Sequence, residues 1–428
     1  MFSRLVFLTS LLTGCPSPRS PVPPVGSVTL EIGRDGYGLR GVAGDSRGVY
    51  SALTSFTDHP QSVIECRRDQ RTVWTVPIDG TAGPLARAGG LLAVALGGSK
   101  AAGLELRGAP GAVVMALDAT SGTPAWKLAI DSSEWSVITS LAPVGDGLLV
   151  GGSFAGTLRA TDQIVTSAGR LDGFVARVSA KGTVDWLIRV GGANADAITG
   201  VTATADGGRI AITGSFATGA ELQGEPLVAT DDKSPTSDVF VAELDGAGKR
   251  KWSASFGGKL DDLSVGVAID GRGRLAVAAT VRDHLKIDVF DLTVSGPTDG
   301  LIVYFDKAGS PGPAIPLGGE ALDGLQAITA AGDRIVIGGF YAGTLKIGNQ
   351  TITASGDDAF LAAFDGAQVT GVWPVAGDGR EEIAALSRVP NGFVAGIGHT
   401  AAAKFDGETL ASPKEPASGA ALLVRGVR

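Results

Sequence analysis

Variants of one stretch, DVFVAELDGAGKRKWSASFGG at residues 238–258, recur down the whole chain, and a chain made of copies must fold as copies. Physically the stretch is a β-hairpin. Phe240, Ala242 and Leu244 fall on one face of its first run and Val239 and Val241 on the other. That run is therefore apolar on both sides, as a strand held between two layers must be. Asp245-Gly246-Ala247-Gly248 is a turn, because glycine accepts positive φ and aspartate bonds its own backbone. In the second run Arg250, Trp252, Ala254 and Phe256 alternate with Lys251, Ser253 and Ser255, which predicts a half-buried strand with one wet face.

Aligned on the tryptophan of the second run, the copies stand at Trp74, Trp126, Trp186, Trp252 and Trp373, with Pro313 in the same place of a degenerate copy. Spacings from about 50 to 66 residues match one four-stranded propeller blade with its loops. A full unit reads from Ala195 to Gly258: AITGVTATADGG and RIAITGSFATG as two strands, a variable insert, then the hairpin. The order repeats from Asp261 and from Leu322, and shorter copies begin at Leu39 and Ala82. Two inserts are near copies, GTLRATDQIVTSAG from Gly156 and GTLKIGNQTITASG from Gly343, and read as small hairpins on the rim.

The ends settle how the array closes. After Arg380 the chain supplies EEIAALSRVPNG, FVAGIGHT, an insert and GAALLVRGV, then stops one strand short of a unit. At the other end SVTLEIG, residues 27–33, is an orphan strand with Val28, Leu30 and Ile32 on one face and Leu30 near the tryptophan register. Registers at 30, 74, 126, 186, 252, 313 and 373 predict an all-β fold, a seven-bladed β-propeller over 27–428. Its last blade combines three carboxyl-terminal strands with the amino-terminal one, which leaves only short outer edges. Composition agrees: 64 glycines in 428 residues with 19% charged residues suit many short strands and tight turns. The net charge of −8, with no basic run interleaved with aromatics, sets nucleic acid aside as a partner.

The amino terminus reads as an address. MFSRLVFLTSLLTGC has an apolar core from Leu5 to Leu12, too short to span a bilayer, followed by small residues, so residues 1–14 form a secretion signal. Leu12-Thr13-Gly14-Cys15 resembles the lipobox of bacterial lipoproteins, which implies cleavage after Gly14 and diacylation of the Cys15 thiol. Two or three acyl chains attach a protein stably to a membrane. By the same analogy Pro16, in place of an aspartate, implies delivery to the outer membrane, facing the periplasm or the cell surface. Residues 15–26, rich in proline, form an extended tether.

The pattern D-x-F-V-A-x-L-D-x-x-G-x-x-x-W, followed by GG and D-x-x-x-x-V/I, resembles the bacterial seven-bladed β-propeller repeat of secreted and lipid-anchored proteins. The resemblance covers residues 27–428 and implies the fold more than any activity. ALDATSGTPAW, residues 116–126, is also similar to the repeat of quinone-cofactor propellers, including the lipoprotein that assists outer-membrane protein assembly. Quinone dehydrogenases of that architecture use a carboxylate-bound calcium and often a vicinal disulfide. Here no two cysteines are adjacent and no residues can be assigned as calcium ligands, so no cofactor is expected.

Signals for catalysis are sparse. His59, His284 and His399 lie in different blades, none at metal-ligand spacing, and there is no nucleophile elbow, Walker loop or H-E-x-x-H. Cys66, beside Arg67 and Arg68, is either an activated thiol or a small strand residue. The turns at 205–209 and 270–274 lack alternating carboxylates and read as hairpin turns, not cation loops. One constellation repeats: Asp196, Asp262, Asp323 and Glu382 sit between the outer strand of one blade and the inner strand of the next. They either form a partial acidic ring at a channel mouth, fit for a divalent cation or a basic segment of a partner, or cap their own turns.

The sequence is thus expected to encode a monomeric, non-catalytic, lipid-anchored propeller that binds a protein partner at the cell envelope. Its working surface would be the face bearing the blade-to-blade loops and the inserts. The alternatives are a propeller enzyme, either a quinone-dependent dehydrogenase or a glycan-acting lyase or hydrolase, and a cation-binding propeller.

Overall fold

The computed structural model describes residues 28–32, 37–46, 48–55, 61–69, 71–98, 100–107, 110–230, 236–390, 392–413 and 419–426. The expected signal, the lipidation site at Gly14 and Cys15, the tether and His59 lie outside the described residues. Among these residues the strands form seven four-stranded antiparallel units. Their inner strands are Tyr37–Asp45, Thr81–Ala88, Trp135–Val144, Ala197–Ala203, Leu263–Ile269, Asp323–Ala331 and Glu381–Val389. Each inner strand packs against the next and the last against the first, so the ring is closed, and the blades are numbered one to seven in this order. Blade seven runs outward through Glu381–Val389, Gly392–His399 and Gly419–Gly426 to Val28–Ile32. The amino-terminal strand pairs with the carboxyl-terminal one, Leu30 opposite Leu423.

The recurrent hairpin is the outer half of a blade. In blade four Asp238–Leu244 is buried throughout, and Arg250–Phe256 is the half-exposed outer strand. Phe240, Ala242 and Leu244 enter the core shared with blade three, while Val239 and Val241 enter the core shared with blade five. Seven such cores, one at each junction, hold the ring together. Each fully buried Val, Leu, Ile or Phe contributes about 1.5–3 kcal/mol.

The tryptophan and the turn glycine of the repeat are two halves of one contact between blades. Trp74, Trp126 and Trp186 donate their Nε1 hydrogens to Ala119, Ala180 and Gly246, in the third-to-outer turn of the following blade. In that turn Gly248, at φ 81°, lies so close that a Cβ would stand 2.9 Å from the Trp186 ring. Glycine alone satisfies both the backbone angle and the contact. Blade six departs from the expected register. Phe364 pairs with Val369, a turn one residue shorter than that between Leu244 and Arg250, so Gly371 and not Trp373 takes the tryptophan position. Trp373 stands two residues further on, and its ring lies back over Gly371.

The inserts of blades two and five are separate two-stranded hairpins, but the two near-copy inserts and two others are not free on the rim. Thr157–Ala160 with Gln163–Thr166, from blade three, continues the sheet of blade two through Ser132 opposite Leu158. Inserts of blades four, six and seven join the outer strands of blades three, five and six in the same way. Each of these four inserts thus crosses the junction and covers the exposed edge of the preceding blade.

Candidate functional site

Every inner strand carries a register irregularity at one level: Leu39/Gly41, Ala82/Leu85, Ile138/Ser140, Ile198/Gly200, Ser264/Gly266, Leu325/Ala327 and Ile383/Ala385. A bulge leaves a residue outside the ladder and re-aims it. The bulged residues Arg40, Thr139, Thr199, Val265, Gln326 and Ala384, with Pro84, line a central cavity of about 810 Å³. Its walls run from this level to the hairpin turns at the far ends of the inner strands, at Asp45, Gly89, Gly145, Ala205 and Pro390. The cavity therefore opens on the face opposite the inserts and blade-to-blade loops.

Several polar groups of the wall are engaged by the neighbouring blade. Thr139 Oγ1 donates to Ile198 O at 2.5 Å, Thr199 Oγ1 to Ser264 Oγ at 2.9 Å, and Gln326 Oε1 accepts from Ile383 N at 3.0 Å. These bonds tie the inner ring together. The charged lining is Arg40, Arg87, Arg388 and Asp45. Asp45 accepts from Arg87 Nε at 2.9 Å. Arg40 and Arg388 are exposed, with no carboxylate partner among the described residues.

The four carboxylates singled out in the sequence do not converge on this cavity. Asp196, Asp262 and Asp323 are buried in three separate junctions. Asp196 accepts from Gly192 N at 2.7 Å and Ala217 N at 2.9 Å, and Asp262 from Gly258 N at 2.6 Å and Arg282 N at 2.9 Å. Asp323 accepts from Gly319 N at 2.6 Å. The capping geometry explains the GG of the repeat: its second glycine supplies the amide, and the cap ties the outer strand of one blade to the start of the next. Glu382 is exposed and falls one residue out of register, and the equivalent position is held by the buried Glu381. Asp196, Asp262, Asp323 and Glu381 are each matched by a buried aspartate of a third strand: Asp172, Asp238 and Asp299 at the strand's start, and Asp358 within Gln350–Asp365.

Burial raises the Asp196 carboxyl, and pushes Asp262 and Asp323 up to about 6, with the charges of Asp238 and Asp299 adding to the rise. Glu381 is pushed up to about 7, by burial first and then by Asp358. In the first of these junctions Arg189 Nη1 meets Asp172 at 2.8 Å, whereas Asp358 Oδ1 and both oxygens of Glu381 have no hydrogen-bond donor. No group of three or more His, Cys, Asp or Glu suited to a metal occurs among the described residues.

The remaining candidates are structural. Cys66 is buried, and burial pushes its thiol up to about 11, away from reactivity. His399 is a strand residue bonded through Nδ1 to Ala401 O at 2.9 Å, and His284 lies at the surface 3.3 Å from Asp291. Asp270 Oδ1 accepts from Arg272 N and Arg274 N, both at 2.9 Å, so the turn at 270–274 is a hairpin turn. The cavity's arginines carry no mark in the sequence, because an arginine in an alternating strand gives no signal until the bulge level is known.

No protein-family model matches the chain, and no curated protein matches it either. Among solved structures it is similar to a quinohemoprotein alcohol dehydrogenase from Pseudomonas putida HK5, at 12% identity and TM-score 0.43, covering 96% of this chain and 78% of that one. It is also similar to the Pan2 WD40 domain of Neurospora crassa, at 8% identity and TM-score 0.41, covering 82% of this chain and 92% of that one. A europium-containing methanol dehydrogenase gives 11% identity, TM-score 0.39, and coverage of 87% and 84%. Likenesses at this level say nothing of chemistry, and the propeller rests on the strand pairing itself.

Proposed function

We propose that this protein is a non-catalytic binding module of the bacterial envelope, held to the outer membrane through Cys15 and engaging a protein partner with its insert face. One observation carries the reading. Of the large apolar side chains exposed among the described residues, Ile164, Val228, Leu260, Val289 and Leu322 lie on inserts or blade-to-blade loops of blades three to six, and Leu263 is the first residue of the inner strand that follows one such loop. Val73, on the outer strand of blade one, is the exception. Apolar side chains gathered on one face mark a protein contact, since scattered ones would be spread over both faces. A role in assembling envelope proteins is the more specific form of the reading, and rests on the resemblance at residues 116–126 alone.

The test is in-cell photo-crosslinking of the lipidated protein, with probes at Leu260 and Leu322 and controls at Asp146 and Asp333 on the opposite face. We expect one partner protein from the insert-face probes only, with its yield cut about tenfold when Val228 and Leu263 are both changed to Glu. Recovery of lipid and self alone from every probe would remove the reading.

A further inference from the structure

We propose that the central cavity binds a small, extended oxyanion, carrying at least two carboxylate or phosphate charges, between Arg40 at its floor and Arg388 at its rim. The site is independent of the partner face, because it opens on the other side of the ring. Arg40 belongs to blade one and Arg388 to blade seven, which are neighbours in the closed ring. A Cβ on Gly44 would meet Cγ1 of Val389, the residue next to Arg388, at 2.5 Å, which sets Arg388 near the level of Gly44, four residues beyond Arg40. At the rise of a strand the two levels are about 13 Å apart. That separation calls for an elongated ligand with charge at both ends.

Neither arginine is needed by the fold. At the bulge level the other blades place Pro84, Thr139, Thr199, Val265, Gln326 and Ala384, so the ring accepts uncharged residues there. Arg388 shares its level with Pro143, Ala203, Ile269 and Ala330, and Arg87, the other charged residue at that level, is spent on Asp45. Three arginines against one aspartate leave the cavity at +2 within a chain of net charge −8. A concave site of one sign, walled by low-dielectric side chains, concentrates ligands of the opposite sign. Guanidinium groups offer planar pairs of N–H donors that match carboxylate and phosphate oxygens. The volume of about 810 Å³ suits a small molecule of that kind.

The experiment uses the full-length protein in detergent at low ionic strength, followed by calorimetry and thermal unfolding, with citrate and pyrophosphate as probes and spermine as the cationic control. We expect one or both anions to raise the melting temperature and spermine not to; which anion binds more tightly separates a carboxylate ligand from a phosphate one. Arg40→Gln and Arg388→Gln should each weaken binding about tenfold with an unchanged circular dichroism spectrum, while Arg159→Gln on the insert face should not. Arg388 lies at the open rim, so its variant remains informative even if Arg40→Gln disturbs the floor. Absence of binding by both anions, or binding that survives both cavity substitutions, would overturn the proposal.

Discussion

Asp196, Asp262, Asp323 and Glu381 occupy one position in four consecutive blades, and each is buried beside a second carboxylate. Their shared consequence is a pH dependence. An acid whose folded pKa is raised holds its proton more tightly folded than unfolded, so protonation favours the folded state. The penalty is absent below about pH 4, where both states are protonated, grows as the pH climbs through 6 for Asp262 and Asp323 and 7 for Glu381, and is constant above. We expect the melting temperature to fall from pH 5 to pH 8 by roughly 3 °C. Glu381→Gln should raise it at pH 8 and flatten the slope, because the amide donates to Asp358 without titrating. A melting temperature that rises over this range, or an unchanged slope in the variant, would contradict the account. The aspartates themselves were legible in the repeat, as was a cap as one of their two possible roles. Glu381 was not: two adjacent glutamates are equivalent on paper, and only the pairing of Glu381 with His399 puts it in the position that Asp323 holds opposite Tyr341.

At the scale of the element, alternation and turn chemistry made the strands readable. Asp238–Leu244 is apolar on both faces because two blades cover it, and Arg250–Phe256 alternates because one face is wet. The role of the inserts was not readable in the same way. A hairpin such as Thr157–Ala160 with Gln163–Thr166 shows its own pairing in the sequence, but its partner is the edge of the preceding blade, a hydrogen-bonding row with no sequence mark. Deleting residues 157–166 would expose the far edge of Pro124–Ser132. Bare edges recruit other strands. We therefore expect concentration-dependent oligomers by light scattering while the melting temperature changes little; a deletion variant that stays monomeric at all concentrations would show that the insert has no covering role.

For the whole molecule, closure is the decisive event. Blade seven takes Val28–Ile32 from one end of the chain and Gly419–Gly426 from the other, so the ring is fastened by five paired positions far apart in sequence. Removing residues 28–32 should leave six blades intact and loosen the seventh. In hydrogen exchange we expect protection to fall first in Gly419–Gly426 and Gly392–His399; equal loss in all blades would mean that the strand is not a fastener. The repeat by itself determined the strand, the turn, the length of the unit, the number of blades and their completion by the first strand. Each of those follows from local periodicity and counting. Only the tertiary structure decided where the repeated carboxylates point, that Gly371 stands in the place expected for Trp373, which blade each insert covers, and that Arg40 and Arg388 face one cavity. Those outcomes depend on register and on pairing between distant strands: a turn shorter by one residue displaces Trp373, an outer edge selects its insert, and a bulge in each inner strand turns Arg40 toward the cavity, none of which changes the residues that spell a strand.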